Sequence, residues 1–138
     1  MLCPVCETEG EVVLADTHEV TVGTIAAMVE GRPVVACPDR HRAVPADVVG
    51  ATMDATEKQI PRAKSRVFRA DACHECGHAL DMPTRRSART VSALIDGTVV
   101  TVHLDLPLTR CPSCALEQVP SKSHEDFTVV IPAVFAIT

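Results

Sequence analysis

A small, β-rich α+β fold of two tandem hairpin units, each stapled by a metal, is predicted by three observations. The first is a repeated spacing. Cys3-Pro4-Val5-Cys6 is answered about thirty residues later by Cys37-Pro38-Asp39-Arg40-His41, and Cys73-His74-Glu75-Cys76 by Cys111-Pro112-Ser113-Cys114. A Cys-x-x-Cys turn sets two thiolates a metal's width apart, and a hairpin between two such turns closes a tetrahedral site, the arrangement of a zinc ribbon. The second is the material between the turns, short β-branched runs punctuated by Gly, Pro and Asp-Gly. The third is size. Divided in two, 138 residues leave each unit too small to bury a self-sufficient core, so a staple is required. The class expected is a zinc-stabilised β-rich protein, two tandem zinc ribbons with a short helix after the first, holding two Zn2+ per chain.

Taken in order, the first unit spans residues 1–60. After the opening turn, Glu11-Val12-Val13-Leu14-Ala15 reads as a strand and Val20-Thr21-Val22-Gly23-Thr24-Ile25 continues the sheet. Ala26-Ala27-Met28-Val29 is ambiguous between strand and helical turn. Glu30-Gly31-Arg32-Pro33 is a turn, and Val34-Val35-Ala36 runs as a strand into Cys37. Val44-Pro45-Ala46-Asp47 opens a helix, with Pro suited to the first turn and Asp47 to its positive end. Val48, Val49, Thr52, Met53, Thr56 and Ile60 recur at spacings of three and four, giving that helix one weakly apolar face, and Pro61 stops it.

Residues 61–71 form the expected basic linker, with Arg62, Lys64, Arg66 and Arg69 among small and apolar residues. The second unit spans 72–138. Pro83-Thr84-Arg85-Arg86-Ser87 reads as a basic loop. Two β runs, Thr90–Ile95 and Thr98–Leu104, flank Asp96-Gly97, and Asp-Gly between β runs is the strongest short-range hairpin signature. The chain closes on Phe127–Thr138, almost wholly apolar, rich in β-branched residues and interrupted by Pro132, which reads as a C-terminal edge strand. The halves form a degenerate repeat: turn, hairpin, turn, then helix in one and strand in the other.

The metal ligands expected are Cys3, Cys6, Cys37 and His41 in one site and Cys73, Cys76, Cys111 and Cys114 in the other. Sequential pairing is favoured over a cross-brace because each hairpin lies between neighbouring pairs. Seven cysteines are an odd number for a disulfide framework, and Cys37, left without a Cys partner, has His41 four residues on. With only Met1-Leu2 ahead of Cys3, no leader is expected, and no apolar run reaches the ~18 residues of a membrane span. A reducing cytoplasm and no membrane association are therefore expected. His78 flanks a site already complete with four thiolates, and His18, His103 and His124 read as solvated or satisfied. Neither thioredoxin-like context nor an open zinc position is evident, so no catalytic residue is expected.

Residues 1 to about 60 resemble the YgiT-type zinc-finger module, a zinc ribbon found in bacterial antitoxins and short uncharacterised proteins. The matching residues are Cys3-Pro4-Val5-Cys6 at the N-terminus, a β hairpin, the closing turn at Cys37 and a helix from about Pro45. The resemblance implies that Cys3, Cys6 and Cys37 are ligands. The family's fourth ligand is usually a Cys at x-x spacing; here Arg40 stands there and His41 follows. The antitoxins carry a helix-turn-helix after the ribbon, whereas here the second half reads as an additional zinc ribbon without one.

Function is bounded by charge and composition. The formal net charge is −5, acidic at both ends and basic between. Aromatics are 2% of the chain (Phe68, Phe127 and Phe135), which removes base stacking as a source of single-strand affinity. The expectation is a non-enzymatic zinc-ribbon adaptor or regulatory protein engaging a protein partner, or a second copy of itself, through residues 127–138; the other placement open to that segment is between the two ribbons, welding them into one body. The rival is a nucleic-acid-binding regulator using the basic segment 58–89, with Arg62, Lys64, Arg66, Arg85 and Arg86 on phosphates. A redox-sensitive zinc protein comes third.

Overall fold

The longest element grows from the Asp-Gly signature. In the computed structural model, which describes residues 1–14, 17–80, 85–95 and 97–136, β8 (Arg85–Ile95) and β9 (Thr98–Arg110) pair antiparallel from Arg85↔Leu108 to Ile95↔Thr98. Asp96 lies outside the described residues. Gly97 has φ +78°, as the second centre of a two-residue hairpin turn requires. The pairing runs further than the β-branched runs suggest, because beyond Leu104 the strand continues through an unbroken buried stretch, Leu106 to Thr109. Arg85, Arg86 and Ser87, expected on a loop, are therefore strand residues; Pro83 and Thr84 lie outside the described residues.

The first half makes one long interrupted hairpin. Its base is β1 (Glu11–Leu14) paired with β4 (Pro33–Ala36), which also carries β5 (Arg42–Ala43); its tip is β2 (His18–Val22) paired with β3 (Ile25–Val29). The ambiguous stretch 26–29 is strand because it is the seam of the molecule. Its alternate residues Ile25, Ala27 and Val29 are fully buried, and its free edge pairs antiparallel with β9 from Ala26↔Asp105 to Val29↔Val102. One sheet, in the order β10-β9-β3-β2 with β8 on β9, thus takes strands from both halves; β10 is Glu117–Gln118. A third hairpin, β6 (Asp71–Ala72) with β7 (Ala79–Leu80), surrounds the Cys73–Cys76 turn.

Helix α1 (Ala46–Gln59) follows Pro45 as expected and buries Val48, Thr52 and Thr56. The two threonines tolerate burial because each hydroxyl donates to the carbonyl four residues back, Thr52 to Val48 and Thr56 to Thr52, both at 2.8 Å. The C-terminal strand expectation is overturned. Ser121–Ser123 forms a 3-10 turn and His124–Phe135 a helix, α2, with Pro132 inside it. The buried residues Phe127, Val130, Ile131, Val134 and Phe135 stand at i, i+3, i+4, i+7 and i+8, one helical stripe. That stripe was hidden because Val129 and Ala133 on the other side are apolar too. Both halves therefore end in a helix, and the repeat is complete.

The helices are exchanged. The main packing partner of α1 is β8 of the second half, while α2 lies on β2 and β3 of the first, and the helices touch each other. The principal core mixes residues of both halves, among them Ile25, Val29, Val48, Val102, Ile131 and Phe135. Polar ties reinforce the exchange. Asp126 accepts from the Thr24 amide at 3.0 Å and hydroxyl at 2.9 Å, His18 Nδ1 donates to the Val134 carbonyl at 2.7 Å, and Asp71 accepts from the Ser121 amide and hydroxyl at 2.9 and 2.6 Å. The apolar side of residues 127–135 is turned to the chain's own core, so of the two placements open to this segment it takes the one between the halves and not the one facing a partner; Ile137 and Thr138 lie outside the described residues. The segment 61–71 also departs from a free linker, since Arg62 bridges to Val119 and Lys64 to Ala72. Among the described residues no helix is long and apolar enough to cross a membrane.

Candidate metal centres

Three of the four turns share one backbone. The amide four residues after the leading cysteine donates back to its carbonyl: Glu7 to Cys3 at 2.8 Å, Gly77 to Cys73 at 3.1 Å and Ala115 to Cys111 at 2.9 Å. The leading cysteine's own amide donates to the fifth residue, Thr8, His78 or Leu116, at 2.8, 2.8 and 2.9 Å. The reversal is made by a left-handed residue directly after the second cysteine, with φ +58° at Glu7, +74° at Gly77 and +66° at Ala115.

The fourth turn is one residue shorter. The Arg40 amide donates to Cys37 at 2.9 Å, the Cys37 amide donates to His41 at 3.2 Å, and the left-handed residue is Arg40, at φ +67°. Arg40 thus makes the reversal, and His41 corresponds to Thr8, His78 and Leu116 on the returning segment. From there a longer side chain than cysteine has to reach inward. The imidazole does so with Nδ1, 3.3 Å from Cys37 Sγ and 3.7 Å from Cys3 Sγ. The shortened turn is the physical reason that this position carries histidine.

The structure brings the ligands together in sequential sets. Cys3, Cys6, Cys37 and His41 form one cluster and Cys73, Cys76, Cys111 and Cys114 the other, with the ligand atoms of each within 4.8 Å of one another. Cross-turn sulfur distances are 3.7 Å for Cys6–Cys37 and 3.5 Å for Cys73–Cys114 and Cys76–Cys111. All seven cysteines are free thiols, far from the ~2 Å of a disulfide. Each cluster can hold a metal ion. They differ in exposure: Cys3 and Cys37 are buried and Cys6 and His41 half-buried, whereas Cys73 and Cys111 are buried beneath exposed Cys76 and Cys114.

Electrostatics favour a cation at both. The hydroxyl and amide of Thr8 pull the Cys6 thiol down to about 6, while burial pushes that of Cys37 up. Burial opposes the Cys73 thiolate, but the Cys76 amide, the Gln118 side chain and the Glu75 amide outweigh it and bring the thiol down to about 5. At Cys114 the Leu116 amide favours the thiolate, yet the sulfur of Cys73, burial and the sulfurs of Cys111 and Cys76 push it up to about 12. Crowded sulfurs resist sharing negative charge, and a bound cation removes that resistance.

Gln118 gave no sign in the sequence. Fully buried on β10, it donates from Nε2 to Cys73 Sγ at 3.3 Å and accepts the His74 amide on Oε1 at 2.7 Å, so it holds the leading sulfur and the turn behind it together. Only the long-range pairing of β10 with β9 places it there. The other histidines stay out of the clusters. His74 Nδ1 meets the Arg62 carbonyl at 3.1 Å, His103 Nδ1 meets the Thr90 hydroxyl at 3.3 Å, His124 lies 3.6 Å from Glu57, and His78 is exposed.

The five basic residues proposed for phosphates are divided between two elements. Arg62, Lys64 and Arg66 precede the second cluster, where Arg66 Nε donates to the Ala70 carbonyl at 3.0 Å. Arg85 and Arg86 lie on β8 and line, with Arg110, a cavity of about 500 Å³ beside the Cys111 turn. Arg86 is already committed: it pairs with Asp105 at 3.3 Å and donates to the Thr24 carbonyl, tying β8 to the β2–β3 turn. No protein-family model, curated protein or solved structure matches the chain, and what the two centres can do is read from their own geometry.

Proposed function

We propose that the chain is a non-enzymatic, cytoplasmic adaptor in which two structural zinc ribbons stiffen a surface that engages a protein partner. The observation that carries this is closure. Each cluster offers four ligand atoms, and a zinc ion with Zn–S bonds of ~2.3 Å at the centre of a tetrahedron wants its ligands ~3.8 Å apart, close to the 3.3–3.7 Å separations between contacting ligand atoms. Thiolate with imidazole suits zinc. Four protein ligands leave no position for a substrate or an activated water, which catalytic zinc needs. The resemblance of residues 1 to about 60 to the YgiT-type module supports the ribbon assignment of the first half.

Native mass spectrometry against the denatured mass tests the metal content, with two zinc ions expected per chain. A single ion, or intact disulfides, would refute the two-ribbon reading. The adaptor role predicts a specific protein complex that survives purification and dissociates when both ions are chelated. The nucleic-acid alternative predicts salt-sensitive binding to DNA or RNA that weakens when Arg62, Lys64, Arg66, Arg85 and Arg86 are neutralised. The engagement of Arg86 with Asp105 and Thr24 counts against it, and no such binding is expected.

A further inference from the structure

The segment between the two centres has an unusual profile. Lys64 and Ala72 exchange both backbone hydrogen bonds at 2.8 Å, and Arg66 Nε to the Ala70 carbonyl closes the neck of the loop above them. At its tip stand Val67, 80% exposed, and Phe68, 102% exposed. The other two aromatics of the chain, Phe127 and Phe135, are 2% and 1% exposed. Phe68 also holds φ +56°, a left-handed conformation rare for a bulky side chain. A large apolar residue kept in water, in a backbone conformation that suits glycine better, gains nothing for the fold, and strain of this kind points to function.

The mounting is rigid. Below the loop, β6 runs directly into Cys73, and Asp71 fixes Ser121 at the start of the turn that leads into α2. The tip is therefore presented from a metal cluster and a helix start, and binding through it orders little that is not already ordered. Its surroundings are basic: Lys64 and Arg69 are exposed, and Arg66 braces the neck. In a chain of net charge −5 this is a local reversal of sign.

We propose that residues 64–71 are the docking element of the adaptor: Phe68 enters an apolar pocket on a second protein whose rim carries carboxylates, which pair with Lys64 and Arg69. This rests on the adaptor reading above and names its surface. A second copy of this chain offers the wrong charge: the cavity beside the Cys111 turn sets Arg85, Arg86 and Arg110 against the single carboxylate of Glu117, and another, lined by Val44, Val49 and Phe135, carries Arg42 and no carboxylate. A lone exposed phenylalanine is too little for single-strand stacking, which uses successive aromatics. Two exposed cations beside one short apolar tip also fall short of the roughly four to eight clustered Lys and Arg of a lipid-binding patch. An aromatic anchor with charged neighbours is, by contrast, the usual composition of a protein–protein hot spot.

The chain has no Trp or Tyr, so Phe68→Trp installs the only indole and makes its emission a direct report on the tip. A photo-crosslinking amino acid at position 68, and in parallel on the remote β8–β9 hairpin at Val99, is used in the zinc-loaded full chain in its native host. The protein captured at position 68 is then purified. Titrating it into Phe68→Trp is expected to shift the emission to the blue, and the crosslink is expected to map to an apolar pocket flanked by Asp and Glu. Phe68→Gly suits φ +56° and leaves metal content and melting temperature unharmed, yet weakens the purified complex about 30-fold or more. Neutralising Lys64 and Arg69 slows association and flattens its salt dependence. Unchanged affinity in Phe68→Gly overturns the proposal and leaves the adaptor reading standing with another surface. An emission shift with phosphatidylserine vesicles or oligonucleotides, and none with protein, overturns it in favour of those ligands. Absence of any captured protein at both positions removes the adaptor reading, and the docking element with it.

Discussion

The two centres solve one geometric problem with different turns. The second uses two turns of the same length, four cysteines and a buried glutamine on the leading sulfur. The first joins one turn of that length to a shortened one, and the missing residue moves the fourth candidate ligand onto the returning segment just before β5, where His41 makes up the reach. The identity of the candidate ligand here follows turn length, and a cysteine count alone would have left the first cluster with three members. The difference extends to exposure. The first centre keeps its ligands buried or half-buried, while the second turns Cys76 and Cys114 to solvent.

The strongest way to break the comparison is to remove a leading sulfur from each side. Cys3→Ser and Cys73→Ser should each lose one ion, and because both halves contribute to one core, each should lower the melting temperature of the whole chain in a single transition. Structural zinc contributes on the order of 10 kcal/mol in small domains, so the fall should be the largest of any substitution, with the remaining ion still holding its own site. Calorimetry with metal analysis checks it; two separate transitions would show that the shared core does not couple the halves.

Next in size is the turn-length argument itself. His41→Ala should release the first ion and keep the second. The double variant Arg40→Cys/His41→Ala places a thiol at the x-x spacing, but on the residue that makes the left-handed reversal, and should fail to restore the ion. Zinc stoichiometry decides it, and recovery of two ions would mean that spacing rather than turn length selects the ligand. Gln118→Leu then probes the feature found only in the second centre. Losing the sulfur's donor and stranding the His74 amide should cost about 1–3 kcal/mol and lower zinc affinity at that site by about 10–100-fold, with a smaller loss at the first site through the shared core in competition against a chelator.

The smallest effect compares the left-handed positions. Gly77→Ala adds a Cβ that meets nothing within 4 Å, so its cost is conformational alone, about 1 kcal/mol. Ala115→Gly and Glu7→Gly, at the equivalent residues of two other turns, should gain a few tenths of a kcal/mol up to about that amount. Thermal melts of the loaded protein check the signs.

The two candidate clusters were legible because metal chemistry writes itself into short spacings: every one of their eight residues lies within four residues of another. Helix α1 was legible from Pro45, Asp47 and the spacing of Val48, Thr52 and Thr56. Helix α2 was not, since Thr128-Val129-Val130-Ile131 carries β propensity and its buried stripe is masked by apolar residues on the open side; tertiary burial, not propensity, decided the outcome. Arg86 read as a free cation because its partners Thr24 and Asp105 are distant in sequence. The seam between Ala26–Val29 and Val102–Asp105 and the position of Gln118 are products of long-range pairing, which no local pattern encodes.

The exchange of helices has a consequence for how the ions load. With α1 on the second hairpin and α2 on the first, neither half can cover its own apolar sheet face, and the two sites share one folding equilibrium. The first ion to arrive bears the ordering cost for both halves; the second meets a preformed cage and binds more tightly by the same free energy. If both clusters hold zinc, loading is then expected to be positively cooperative, with the singly loaded species scarce and the two sites filling as one step instead of two graded ones.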